Sequence, residues 1–223
     1  MNKAIPTFLW LWIPIGLFVV QLGLDTVLPD ATKAWMYNEN GPYEIGQVVV
    51  LTIAILIALC TLIKMDKSAK AVMAWIALAL LCCVYVAGEE ISWGQQILKW
   101  NTPEYWAAIN DQNETNLHNT SSWLDQKPRL ILELGVYFGG IILPLLRKYK
   151  PSIIPAKFAA IYPGNAVIVT AVVCLCIRFA DMAADATGTP LFGRAAEVEE
   201  AYLYYFVLLY LLELKGRLIR KRA

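Results

Sequence analysis

The sequence predicts an all-α protein: a polytopic membrane helical bundle of six transmembrane helices with a long outer loop after the third. Three observations lead there. The 223 residues are 58% hydrophobic and only 17% charged, whereas a soluble domain is about half apolar and about a quarter charged. The apolar residues, which give a mean hydropathy of +0.52, are gathered into runs close to the ~20 residues a spanning helix needs. Basic residues collect between alternate runs, as the positive-inside bias requires.

The six runs cover about 8–24, 45–63, 71–88, 130–146, 166–183 and 198–214. A backbone in hydrocarbon must satisfy its own hydrogen bonds, so helices are the expected spans, and Pro14, Gly16 and Pro144 are tolerable within them. Lys3 and the apolar run after Phe8 have the outline of a signal peptide, but Gln21 to Pro29 offers no small-residue cleavage site, so an uncleaved first span is expected. With both termini cytoplasmic, thirteen of the 19 basic residues fall on the cytoplasmic side. Of the acidic residues, only Asp66 and Glu213 do; the others belong to the outer loops or outer helix ends. The expected organisation is one bundle domain over residues 1–223, with the stretch 151–164 as a cytoplasmic connector rich in proline.

A net charge of +1 gives no footprint for nucleic acid. One histidine, His118, excludes a three-histidine zinc site. Cys60, Cys82, Cys83, Cys174 and Cys176 all lie in apolar runs and read as packing residues rather than a disulfide framework.

The chemistry gathers where the third run ends. Glu89-Glu90-Ile91-Ser92-Trp93-Gly94-Gln95-Gln96 places two carboxylates, a hydroxyl, an indole and two carboxamides where a helix meets water. Ionisable groups at such depth are candidates for function. If the helix continues through Gln96, then Tyr85, Glu89, Ser92 and Gln96 form one polar stripe. Ser92 is a candidate nucleophile, and equally a hydroxyl that packs helices.

Residues 101–128 form the outer loop. Thr102-Pro103-Glu104 has the pattern of a helix start, and the aromatics after it suit an interfacial helix. Asn113-Glu114-Thr115-Asn116-Leu117-His118-Asn119 follows, dense in amides that favour turns. His118 could serve as a general base or metal ligand, and equally be a solvated loop residue. On the fifth run, Arg178, Asp181 and Asp185 share a face, either as a membrane ion pair or as oxygen ligands for a cation.

The candidate site therefore comprises Glu89, Glu90, Ser92 and His118 as catalytic groups. Trp93, Gln96, Asn113, Asn116 and Arg178 would contact substrate. Glu89, Glu90, His118, Asp181 and Asp185 would hold a divalent metal ion that activates water. A lipid or polyprenyl-linked substrate suits the location, for a hydrolase or transferase. Two other readings stand beside it: a non-catalytic subunit or assembly factor with a membrane-protein partner, and an ion-coupled transporter. The transporter reading lacks a visible acidic path across the bilayer. The expected geometry brings the ends of the third and fifth runs and the loop into one pocket, with His118 beside Glu89 or Glu90 and with Trp93, Trp106 and Trp123 at the rim.

The segments EEISWGQ and NETNLHN, with Thr102-Pro103-Glu104 between them, resemble those of a group of small bacterial inner-membrane proteins. The resemblance covers roughly residues 88 to 120. It implies a bacterial inner-membrane setting and no particular activity. The sequence lacks the multiple histidines of the membrane ceramidase and progestin-receptor-like hydrolases. It also lacks the full aspartate signatures of prenyl and CDP-alcohol transferases.

Overall fold

The protein, seen in a computed structural model that describes residues 5–38, 41–110 and 112–219, is all-α; no strand occurs among the described residues. The side chains of Gln96, His118, Ser122, Leu124, Asp125 and Gln126 lie outside that description. The helices are α1 Ile13–Val27, α2 Asp30–Met36, α3 Pro42–Lys64, α4 Lys70–Glu90, α5 Gln95–Leu98, α6 Glu104–Ile109, α7 Ser122–Tyr137, α8 Leu143–Tyr149, α9 Ile168–Thr187 and α10 Ala195–Ile219.

Among the described residues, five stretches are long and apolar enough to cross a membrane: Phe8–Val27, Pro42–Lys64, Lys70–Glu90, Lys127–Tyr149 and Asn165–Thr187. They match the first five expected runs. α10 matches the sixth in place and is the longest helix, but it is built differently. It carries Glu197, Glu199 and Glu200 in its first two turns, and residues all around its circumference are buried. The other long helices pack around it, and their exposed sides are lined with large apolar residues such as Leu17, Val20, Leu56, Leu78, Leu81, Ile131 and Phe179.

Two of the prolines inside the spans, Pro14 and Pro144, leave a local signature. A π-helical turn, Phe8–Trp12, precedes Pro14, and another, Phe138–Ile142, precedes Pro144. Proline has no N–H to donate and its ring crowds the preceding turn, so the ladder there loosens to the wider register. In that register the Leu9 carbonyl faces residue 14 and finds no donor. The Tyr205 hydroxyl of α10 supplies one, donating to Leu9 O at 2.6 Å, and Tyr202 donates to Pro14 O at 3.1 Å. In the second rod Gly140 is buried, and a Cβ there would come within 2.3 Å of the Ala171 methyl and 2.8 Å of the Phe206 ring. Glycine is what lets α9 and α10 close on this rod.

Side-chain contacts fix the alternation of the helices. Asp25, at the end of α1, accepts from the Gly193 N–H just before α10 at 3.2 Å. Gln47, at the start of α3, donates to Glu197 O at 3.1 Å. Glu90, which ends α4, accepts from Tyr204 at 2.9 Å. Arg129, early in α7, pairs with Glu199 and Glu200. These ends therefore gather around the first turns of α10. At the opposite end Glu213 accepts from the N–H groups of Gly164 and Ala166 at 2.5 and 3.1 Å. There Arg217 donates to Tyr162 O at 2.8 Å and Trp75, near the start of α4, to Tyr210 at 2.7 Å.

Two expectations need correcting. The loop expected over 101–128 is shorter: α7 starts at Ser122 and carries Pro128 in its interior. Pro128 is the seventh residue of this helix, where a proline forgoes one hydrogen bond and crowds the preceding turn without ending it, so residue 128 does not bound the loop. The third helix does not continue through Gln96 either. α4 ends at Glu90, and Ser92, Trp93 and Gly94 take φ of 47°, 55° and 97°. Three successive left-handed residues break the helical repeat, so the stripe of Tyr85, Glu89, Ser92 and Gln96 does not exist as one face.

Candidate functional site

The turn after α4 turns the chain back on itself, and its first consequence concerns Trp93. Its ring folds against α4 so closely that a Cβ on Gly88 would approach it to 2.8 Å. From there the indole N–H donates to Glu89 Oε1 at 2.7 Å. The other Glu89 oxygen accepts the backbone N–H of Leu117 at 2.6 Å. One carboxylate, 4% exposed, thus joins the end of α4 to the amide-rich loop.

The second joint is made by Ser92, which is fully buried. Its hydroxyl donates to Glu114 Oε2 at 2.5 Å and accepts from Asn116 Nδ2 at 3.0 Å. Asn116 Nδ2 also donates to Glu114 Oε2 at 2.7 Å. Asn110 holds the loop in the shape this needs. Its carbonyl oxygen accepts from the N–H groups of Gln112 and Glu114 at 3.0 and 3.1 Å, and its amide donates to Asn116 Oδ1 at 2.7 Å. Asparagine is suited to this because its side chain can mimic a turn of backbone.

The third joint uses Gln95. It donates to Thr102 Oγ1 at 2.6 Å and accepts from Thr115 N–H at 2.7 Å. Thr102 in turn donates to the Asn113 carbonyl. The expected capping role of Thr102 is therefore not found: Pro103 occupies the position before α6, with no side-chain cap. A hydroxyl already bridging Gln95 and Asn113 is taken from the helix end. Asn113 accepts there through its backbone carbonyl and adopts a left-handed φ of 59°.

EEISWGQ and NETNLHN are thus two halves of one buried, hydrogen-bonded joint. Glu89, Ser92, Asn110, Glu114 and Asn116 are all buried. Around them stand exposed apolar groups on the same segments: Trp93, Ile97, Leu98, Trp100, Tyr105, Ile109, Leu117 and Trp123. The expected position of His118 beside Glu89 or Glu90, and the expected roles of His118 and Gln96, fall on side chains outside the description. The backbone neighbour of His118, Leu117, is the residue tied to Glu89.

Glu90 turns the other way, to Tyr204 on α10. One turn earlier on α10 lies a second polar centre that sequence reasoning treated only as scattered helix ends. Arg129 donates from Nε to Glu133 at 2.9 Å, from Nη2 to Glu199 at 2.9 Å and from Nη1 to Glu200 at 3.1 Å. Tyr137 donates to the second Glu199 oxygen at 2.6 Å. The spacing of Arg129 and Glu133 at i, i+4 was a visible signal; their pairing with residues 70 positions away was not.

A third cluster closes the end of α1. Gln21 and Tyr37 both donate to Asp25, at 2.5 and 3.1 Å, and Tyr43 donates to Gln21. Burial, with Tyr43 and Asp25 alongside, raises the Tyr37 phenol well above its ordinary value.

Arg178, Asp181 and Asp185 stay apart from the joint. Arg178 pairs with Asp181 at 3.4 Å, with both side chains substantially exposed. Asp181 lines a small cavity of about 20 Å³ with Phe192 and Ala195, and Asp185 is exposed. Among the described residues, no group of three His, Cys, Asp or Glu side chains is placed to hold a metal ion. Comparison with models of protein families, with curated proteins and with solved structures returns no match for this chain.

Proposed function

We propose that this is a six-span bacterial inner-membrane protein, with both termini cytoplasmic, that acts as a non-catalytic subunit or assembly factor. In this reading α10 is the sixth span, at the centre of the bundle. The end bearing Asp25, Glu90, Arg129 and Glu199 faces outward. The basic end, with Arg147 and Arg217, faces the cytoplasm.

One observation carries the proposal. Ser92 is fully buried between Glu114 and Asn116, and both Glu89 oxygens accept from within the same fold. A nucleophile must reach a substrate atom, and a general base must approach the proton it takes. A joint of this kind instead holds a loop rigidly and offers its outer side to a partner. That outer side carries Leu98, Tyr105 and Trp123, each more than 60% exposed. Exposed apolar residues clustered on an ordered segment mark an interaction surface.

The test is copurification from native membranes in mild detergent. Wild-type protein is expected to carry one stoichiometric membrane-protein partner. Leu98→Ser with Tyr105→Ser is expected to lose that partner while its melting temperature stays unchanged. Recovery of the chain alone, at every detergent concentration that keeps it folded, would contradict the proposal.

The enzymatic reading keeps one specific support: the Leu117 tie sets His118 one residue from a Glu89 contact. A membrane-embedded hydrolase or transferase for a lipid or polyprenyl substrate, with or without a divalent metal ion, would use that neighbourhood. Turnover of such a substrate that vanishes in His118→Ala, with the fold intact, would establish it over the subunit reading.

A further inference from the structure

At the end of the bundle opposite the joint, an open groove of about 430 Å³ runs along the start of α4. Its wall is Met73, Ala74 and Ala77 of α4 with Leu62 of α3, and its lip is Lys67 and Lys70. Lys70, Met73, Ala74 and Ala77 stand at i, i+3, i+4 and i+7, one face of the helix. From Lys70 to Ala77 that face is about 10 Å long at 1.5 Å per residue. The groove is therefore apolar along its length and cationic at one end.

We propose that this groove binds an anionic phospholipid of the cytoplasmic leaflet, with an acyl chain along Met73, Ala74 and Ala77 and the phosphate between Lys67 and Lys70. This rests on the membrane-spanning reading but not on the partner-binding one. Charge complementarity selects the occupant. The two lysines sit where an apolar helix begins, the level at which headgroup phosphates lie. Basic pockets between spans on the cytoplasmic side suit anionic headgroups. Lys67 donates to the Leu62 carbonyl, which holds its ammonium at the lip, and an ammonium has three donors, so that bond is compatible with a phosphate contact. The neighbouring carboxylate, Asp66, accepts from the Ser68 N–H. Small side chains at Ala74 and Ala77 leave the floor open, where a larger residue would fill it.

The experiment is native mass spectrometry of the full chain after exposure to equal amounts of phosphatidylglycerol and phosphatidylcholine with identical acyl chains. Wild-type protein is expected to retain phosphatidylglycerol preferentially, by roughly thirtyfold from two near-surface charges. Lys67→Gln with Lys70→Gln should bring phosphatidylglycerol down to the phosphatidylcholine level. Ala74→Trp, which fills the groove and leaves the lysines in place, should lower retention of both lipids. Lys150→Gln with Lys157→Gln, elsewhere on the basic end, should change nothing. Equal retention of the two lipids by wild type would overturn the proposal. So would an equal loss in the Lys150/Lys157 control, or full phosphatidylglycerol binding by Ala74→Trp. Disulfide-linked dimers through Met73→Cys, formed with no lipid retained, would overturn it in favour of a second copy of the chain.

Discussion

The protein buries carboxylates in two neighbouring places by two different means. In the joint between α4 and the amide-rich loop, Glu89 and Glu114 accept from an indole, a backbone amide, a hydroxyl and a carboxamide. At the start of α10, Glu133, Glu199 and Glu200 share one guanidinium, with a tyrosine added at Glu199. The first arrangement is built from residues within 28 positions of each other and spreads its support over many bonds. The second draws on helices 70 positions apart and hangs on one side chain. A network whose described bonds are spread over many groups should yield to mutation in steps, while a single shared cation should fail at once.

Arg129→Met is the sharpest way to break that contrast. It leaves three clustered carboxylates without their common partner, and removing one side of a buried pair costs about 3–5 kcal/mol. Thermal or denaturant unfolding in detergent should show this as the largest loss of any single polar substitution at this end of the bundle. A loss below that of any joint substitution would mean that the cation is not the keystone.

Glu114→Ala comes next. It strands the Ser92 hydroxyl and one Asn116 donor, at about 1–3 kcal/mol for buried groups left unsatisfied. The bundle should stay folded while the loop becomes sensitive to protease. Ser92→Ala, read in the same assay, should be milder because Asn116 still reaches Glu114. Gly88→Ala tests the same joint through packing. The new methyl meets the Trp93 ring, and overpacking of this kind costs about 1–3 kcal/mol. Trp93 emission should shift as the indole leaves Glu89; an unchanged spectrum with unchanged stability would contradict the close approach.

The smallest expected effect lies outside both regions and calibrates them. Tyr205→Phe removes the donor to the Leu9 carbonyl beside Pro14, at about 0.5–1.5 kcal/mol. Restoring a donor by Pro14→Ala in the same chain should recover part of that loss.

The comparison also shows what the amino-acid order can and cannot convey. The first five spans were legible because lipid demands long apolar helices, a constraint written residue by residue. The two joint segments stood out because carboxylates and amides are unusual at a helix end. Their geometry did not, because Ser92 and Trp93 are not residues that announce a left-handed backbone. A polar stripe expected on one helix is in fact a turn clasped by a loop. Asp181 and Asp185 were grouped with Glu89 on the strength of a shared side of the membrane, yet α9 directs Asp181 to Arg178 instead. The Arg129 centre depends on which helix starts meet, and that is set by packing of glycines such as Gly140 against Ala171 and Phe206 rather than by any motif.

The amide-rich loop is locked onto the end of α4 by internal hydrogen bonds. Amide hydrogen exchange of the protein in nanodiscs tests it at named positions. The N–H groups of Glu114, Thr115 and Leu117, which donate to Asn110, Gln95 and Glu89, should exchange slowly in wild type and rapidly in Glu114→Ala, while the amides of α10 stay protected in both. Fast exchange at those three positions in the wild-type protein would contradict the lock and return Glu89, Ser92 and His118 to the standing of an open site.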